Sequence, residues 1–122
     1  MAAPFIAPDP AATVSKATVR AAQVLDLAQS ELAGILGISR ATASRLVAGK
    51  YQLEPHRKEW ELALLLIRLF RSLDAIAGHG EDARAWLRGP NEALGRPPAE
   101  LIRGAEGLVQ VVQYLDATRG RV

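Results

Sequence analysis

The stretch QSELAGILGISRATASRLVAGK, residues 29–50, admits few folds. Leu32, Ala33 and Leu36 share one face of a short helix, and Gly37 follows where helices commonly end in a left-handed residue. Ser39 is a good N-cap for a second helix with Ala43, Leu46 and Val47 on its inner face, and Gly49 closes that helix in the same way. Two short helices joined by a brief glycine-containing turn form a helix-turn-helix. Alanine and leucine carry most of the hydrophobicity elsewhere, β-branched residues are thinly spread, and no segment alternates convincingly. The predicted fold class is all-α: a helix-turn-helix bundle followed by a small helical C-terminal module.

The inner face of the second helix fixes its outer one. Arg40, Ala41, Ser44 and Arg45 must then form an exposed stripe. A helix of this width fits the major groove of DNA. Arg40 or Arg45 can bond guanine bidentately, and Ala41 or the Thr42 methyl can meet a thymine methyl. Gln29, at the start of the preceding helix, is placed to touch a phosphate or an adenine edge, and Ser39 stands beside the same groove-facing turn. Lys50 is expected to make phosphate contacts blind to sequence. The charge distribution agrees. The chain's net charge is only +2, yet between Gly37 and Lys58 five basic residues face Glu54 alone, while the remainder from Glu61 onward is balanced. A solvated face of an ordinary helix pair is the competing reading; small residues, groove-facing arginines, the turn and the local charge together favour DNA binding.

Other helices are expected over residues 14–27, with Thr13 or Ser15 as N-cap and Val14, Ala17, Ala21, Val24 and Leu25 inward. A long one over 55–77 would begin at Pro55, whose fixed φ suits a first turn. Its Leu62, Leu66, Leu69, Leu73 and Ile76 make a seam for another helix, in the same chain or in a second copy. EDARAWL, residues 81–87, is a short helix with acids in its first turn, and Trp86 is expected to pin the following proline-rich turn onto the last helix. Trp60 is expected in the core. In that turn, Ala93 and Leu94 are expected to pack inward against Trp86. Pro98 starts a brief helix, and a final amphipathic helix from Ala105 to about residue 118 turns Leu108, Val111, Val112 and Leu115 inward. The expected organisation is a mobile arm over 1–12, a DNA-binding domain over 13–77 and a partner-binding module over 78–122.

Enzymatic chemistry finds no footing. There is no cysteine, His56 and His79 have no metal-ligand spacing, and no GxSxG, Walker A or GxGxxG element occurs. No cofactor is expected. The proline-cut N-terminus lacks a signal peptide's basic region, and Arg68 interrupts the most apolar run, so a cytoplasmic protein without a membrane span is expected.

Residues 29–50 resemble the helix-turn-helix of the Xre/Cro family of repressors, which implies an all-helical DNA-binding domain, usually dimeric on a palindromic operator. The later stretch AWLRGPNEALGRPPAELIRGAEGLVQVVQYL resembles the toxin-binding module of Xre/MbcA/ParS antitoxins. The features that carry this likeness are Trp86-Leu87, Pro90-Asn91, Ala93-Leu94-Gly95, Pro98, Leu101 and Gly107. One departure is Gly95-Arg96-Pro97-Pro98, a shorter turn than the family's double glycine gives. The resemblance implies an antitoxin whose C-terminal region covers the active-site entrance of a RES-domain toxin that consumes NAD, and which represses its own operon. The expected toxin contacts are Gln113, Tyr114, Arg119, Arg121 and Val122, a polar helix end and basic tail suited to a pocket shaped for nucleotide phosphates. The alternative is a stand-alone regulator whose C-terminal half dimerises or binds another ligand.

Overall fold

A computed structural model describes residues 9–78 and 80–120. Those residues form seven helices: α1 (Pro10–Val24), α2 (Gln29–Leu36), α3 (Arg40–Val47), α4 (Glu59–Ala77), α5 (Glu81–Arg88), α6 (Pro98–Leu101) and α7 (Ala105–Gly120). The all-α expectation holds. His79, Arg121 and Val122 lie outside the described residues, as does the expected arm up to residue 8.

Two helix starts differ from the sequence reading, each for a local reason. The first helix begins at Pro10 rather than residue 14. Asp9 is its N-cap, accepting the Ala11 N–H at 3.1 Å, and Pro10 fills the first helical position, where no N–H is needed. The inner face turns accordingly. Ser15 and Thr18 are buried, with Ala11, Ala21 and Ala22, whereas Val14, Ala17 and Val24 are only half-buried. Ser15 is neither cap nor surface: its hydroxyl accepts the Leu53 N–H at 2.8 Å, satisfying a buried donor in the segment after α3.

The long helix begins at Glu59, not Pro55. Pro55 instead occupies the second position of a turn closed by the Arg57 N–H on the Glu54 carbonyl at 3.0 Å. Its fixed φ suits that position as well as it suits a helix start. The predicted seam closes within the chain: Leu66, Leu69 and Leu73 are fully buried, Leu62 is half-buried, and Ile76 at the helix end is 43% exposed. Helix α4 packs most extensively on α7 and also against α1, α2 and α5. Buried residues from α1 to α7 thus join into a single hydrophobic cluster. Trp60 is at its edge, half-buried, rather than inside it.

The proline-rich turn is compact. Asn91 accepts the Leu94 N–H through its side chain at 3.0 Å, and Leu94 is buried, but Ala93 is exposed, contrary to expectation. The side-chain turn on Asn91 directs Leu94 inward and leaves Ala93 at its crest. At the α6–α7 corner, a Cβ on Gly107 would stand 2.1 Å from the Leu101 carbonyl oxygen. Only glycine lets α7 approach the end of α6 so closely.

Candidate functional site

The helix-turn-helix is assembled as its sequence suggests. Gly37 ends α2 with φ 67°, a left-handed conformation that admits glycine readily. Ser39 then caps α3: its hydroxyl accepts the Thr42 N–H at 3.0 Å and donates to the Thr42 hydroxyl oxygen at 2.9 Å. The Arg45 guanidinium donates to the same Thr42 oxygen at 3.2 Å. Ala43 and Leu46 are buried; Ser39, Arg40, Ala41, Ser44, Arg45 and Lys50 are exposed, and Thr42 is half-buried. Gln29, the first residue of α2, is exposed as well. The geometry therefore brings the predicted stripe together on one open surface. Among the described residues Arg40 and Lys50 have no side-chain hydrogen bond or ion pair, so both charges are available to a ligand.

Not every cation of the basic segment is available. The Lys58 ammonium donates to the Gly37 carbonyl, tying the start of α4 to the turn between α2 and α3. Behind this, the Tyr51 hydroxyl donates to the Glu59 carboxylate at 2.5 Å. That bond, with burial, raises the Tyr51 pKa. Burial pushes Glu59 upward, but the Tyr51 bond, its own backbone N–H and the nearby Lys58 and Arg57 outweigh it, so Glu59 stays ionised below its ordinary range.

A polar clamp that sequence reasoning missed joins the two halves. Glu31 on α2 is buried and accepts the Ala28 N–H at 2.9 Å, satisfying a helix N-terminal donor. Arg88 on α5 engages both oxygens of Glu31, at 2.5 and 2.8 Å, and donates to the Asp26 carbonyl at 3.1 Å. Arg103, between α6 and α7, reaches the same carboxylate at 3.3 Å. Arg84, one turn before Arg88, donates to the Val24 carbonyl at 3.1 Å and so satisfies the end of α1. The Arg88 hydrogen bonds hold Glu31 down at a pKa of about 2, against the opposing effect of burial. The helical spacing of Arg84 and Arg88 was visible in the sequence; their partners, the Val24 carbonyl and the Glu31 carboxylate, more than fifty residues away, were not.

At the other end, Trp86 and Tyr114 stack with ring centroids 6.3 Å apart, so Trp86 joins α5 to α7. Gln113 is exposed and Tyr114 half-buried. Arg119 is exposed but donates to the Ser72 hydroxyl at 2.9 Å, and Ser72 in turn donates to Asp116 at 3.0 Å. Arg68 pairs with Asp116 from α4. Of the predicted toxin contacts, Gln113 is thus exposed on α7, whereas Tyr114 packs towards α5 and Arg119 reaches back to α4. Among the described residues, no group of three or more His, Asp or Glu side chains could hold a metal ion, and no helix is long and apolar enough to cross a membrane.

Fold and surfaces define a helix-turn-helix protein with a helical appendage clamped onto the same core. Residues 4–68 match the antitoxin Xre-like helix-turn-helix domain, and residues 72–121 match the antitoxin Xre/MbcA/ParS C-terminal toxin-binding domain. The chain belongs to the Xre/MbcA/ParS family of antitoxins, and is thus the antitoxin of a toxin–antitoxin system. Its structure is similar to a chain in the crystal structure of the M. tuberculosis MbcT–MbcA toxin–antitoxin complex, with 27% sequence identity and a TM-score of 0.64 over 87% of this chain and 93% of that one. No curated protein matches the chain.

Proposed function

We propose that this antitoxin neutralises a cognate RES-domain, NAD-consuming toxin by covering its active-site entrance, and that as a homodimer it represses its own operon. The observation that carries this reading is the joining on one core of an open, cationic α3 stripe and a toxin-binding domain. Arg40 and Arg45 read guanine edges, Ala41 and Thr42 meet thymine methyls, and Gln29, Ser39, Ser44 and Lys50 complete the contact with base edges and phosphates. Gln113, Tyr114 and Arg119, continued by Arg121 and Val122, meet the toxin. The RES assignment rests on the resemblance of the C-terminal sequence. Arg119 brings a guanidinium with five donors, of which the Ser72 bond occupies one.

The test is co-expression with the product of the neighbouring reading frame, together with an NAD assay and an operator-binding assay. The reading predicts that the neighbour alone depletes NAD and arrests growth, and that this protein restores both. It also predicts that the protein retards DNA from its own promoter. Arrest without NAD loss would replace the RES assignment with another toxin chemistry.

A further inference from the structure

Helix α1 and the end of α3, with the segment that follows it, enclose an open groove of about 510 Å³. Its cations are Lys16 and Arg20 on α1 and Lys50 after α3; no acid lines it. All three are exposed, and none has a side-chain hydrogen bond or ion pair among the described residues. A second groove continues from the first, sharing Val19, Gln23 and Val47 with it, and reaches Gln29 at the start of α2. The combined channel therefore runs along α1 with Gln29 at one end and Lys50 at the other. Both of those residues belong to the proposed DNA-facing set. Lys16 and Arg20, four residues apart, stand about one helical turn, ~6 Å, from each other along α1.

We propose that Lys16 and Arg20 form a phosphate-binding rail on α1 that extends the DNA contact from the recognition helix onto the phosphodiester backbone. The inference rests on the DNA-binding reading above and adds residues from a helix outside the helix-turn-helix. Charge complementarity selects the occupant: three unpaired cations in the first groove, against Asp26 as the one acid lining the second, suit a polyanion, and a duplex offers phosphates at regular spacing beside the groove that α3 enters. Such contacts carry no sequence information; they position the protein.

The experiment measures binding of promoter DNA and of an unrelated duplex across a salt series, for the full chain and for Lys16→Ala/Arg20→Ala. Both side chains are exposed on the outer face of α1, and binding of the neighbouring toxin reports that the variant is folded. The expected result is weaker binding to both duplexes by a similar factor, with the salt slope shallower by about 1.8, or ~0.9 for each phosphate that the variant no longer neutralises. The ratio of promoter to unrelated affinity stays unchanged, as does toxin binding. A slope equal to that of the parent protein would overturn the rail while leaving DNA binding by α3 intact. Loss of toxin binding with unchanged DNA binding would make the groove a protein-docking site and overturn it too. If the parent protein binds neither duplex, the DNA-binding reading fails and the rail falls with it.

Discussion

At the scale of single residues, charge and position separate three kinds of cation. Arg40 projects from α3 without a partner among the described residues; Lys50 stands beyond the helix end; Arg88 is locked onto Glu31. Arg40→Ala should lower the preference for the operator over other DNA by ~1–3 kcal/mol, read as a ratio of dissociation constants. Lys50→Ala should weaken all sequences alike and reduce the salt slope by about 1. Glu31 gives a pH-dependent prediction. Its folded pKa of about 2 lies below the ordinary 4.5, so its contribution, roughly 3 kcal/mol at most, is complete above pH 5. That contribution declines as pH falls through the unfolded value and is gone below the folded one. Glu31→Gln should therefore be less stable than the parent at pH 7 in denaturant titrations, and the difference should vanish towards pH 2. The α3 residues were legible because capping and periodicity are local. Glu31 was not, since its partners Arg88 and Arg103 come from other elements.

At the scale of elements, local signals competed at both helix starts that differed. Asp9-Pro10 is a strong cap and first-turn pair, but the nearby Pro4 and Pro8 made the segment read as an arm. Pro55 fits the first turn of a helix and the second position of a β-turn equally well, and the Arg57–Glu54 hydrogen bond selects the turn. Where the apolar pattern was long, as in α4 and α7, the inward residues Leu66, Leu69, Leu73, Leu108, Val111, Val112 and Leu115 were readable. The α6–α7 corner offers a test of packing. Gly107→Ala places a methyl against the Leu101 carbonyl, so α7 must shift, at a cost of ~1–3 kcal/mol by thermal or denaturant unfolding. Because Trp86 stacks on Tyr114 of that helix, the near-ultraviolet circular dichroism of the variant should change as well.

The molecule as a whole is organised around α4, which carries the end of the match to the helix-turn-helix domain and the beginning of the match to the toxin-binding domain. The two family matches meet within this helix, at residues 68 and 72, rather than at the glycines after it. One hydrophobic cluster and the Glu31–Arg88–Arg103 clamp cross that boundary. Unfolding should consequently be a single transition, and Leu69→Ala should shift both halves together, by ~2–5 kcal/mol, when followed by the Trp60 and Trp86 signals. Two separated transitions would mean that the halves are independent. On the proposed function, one antitoxin core carries two separable surfaces, the α3 stripe for DNA and the Gln113, Tyr114 and Arg119 end of α7 for toxin. Growth rescue by Arg40→Ala/Lys50→Ala, in cells expressing the neighbouring toxin from an unrelated promoter, tests it most directly. Rescue equal to that by the parent protein, with operator binding weakened, is the predicted result; failure to rescue by the folded variant, or by the parent itself, would contradict it.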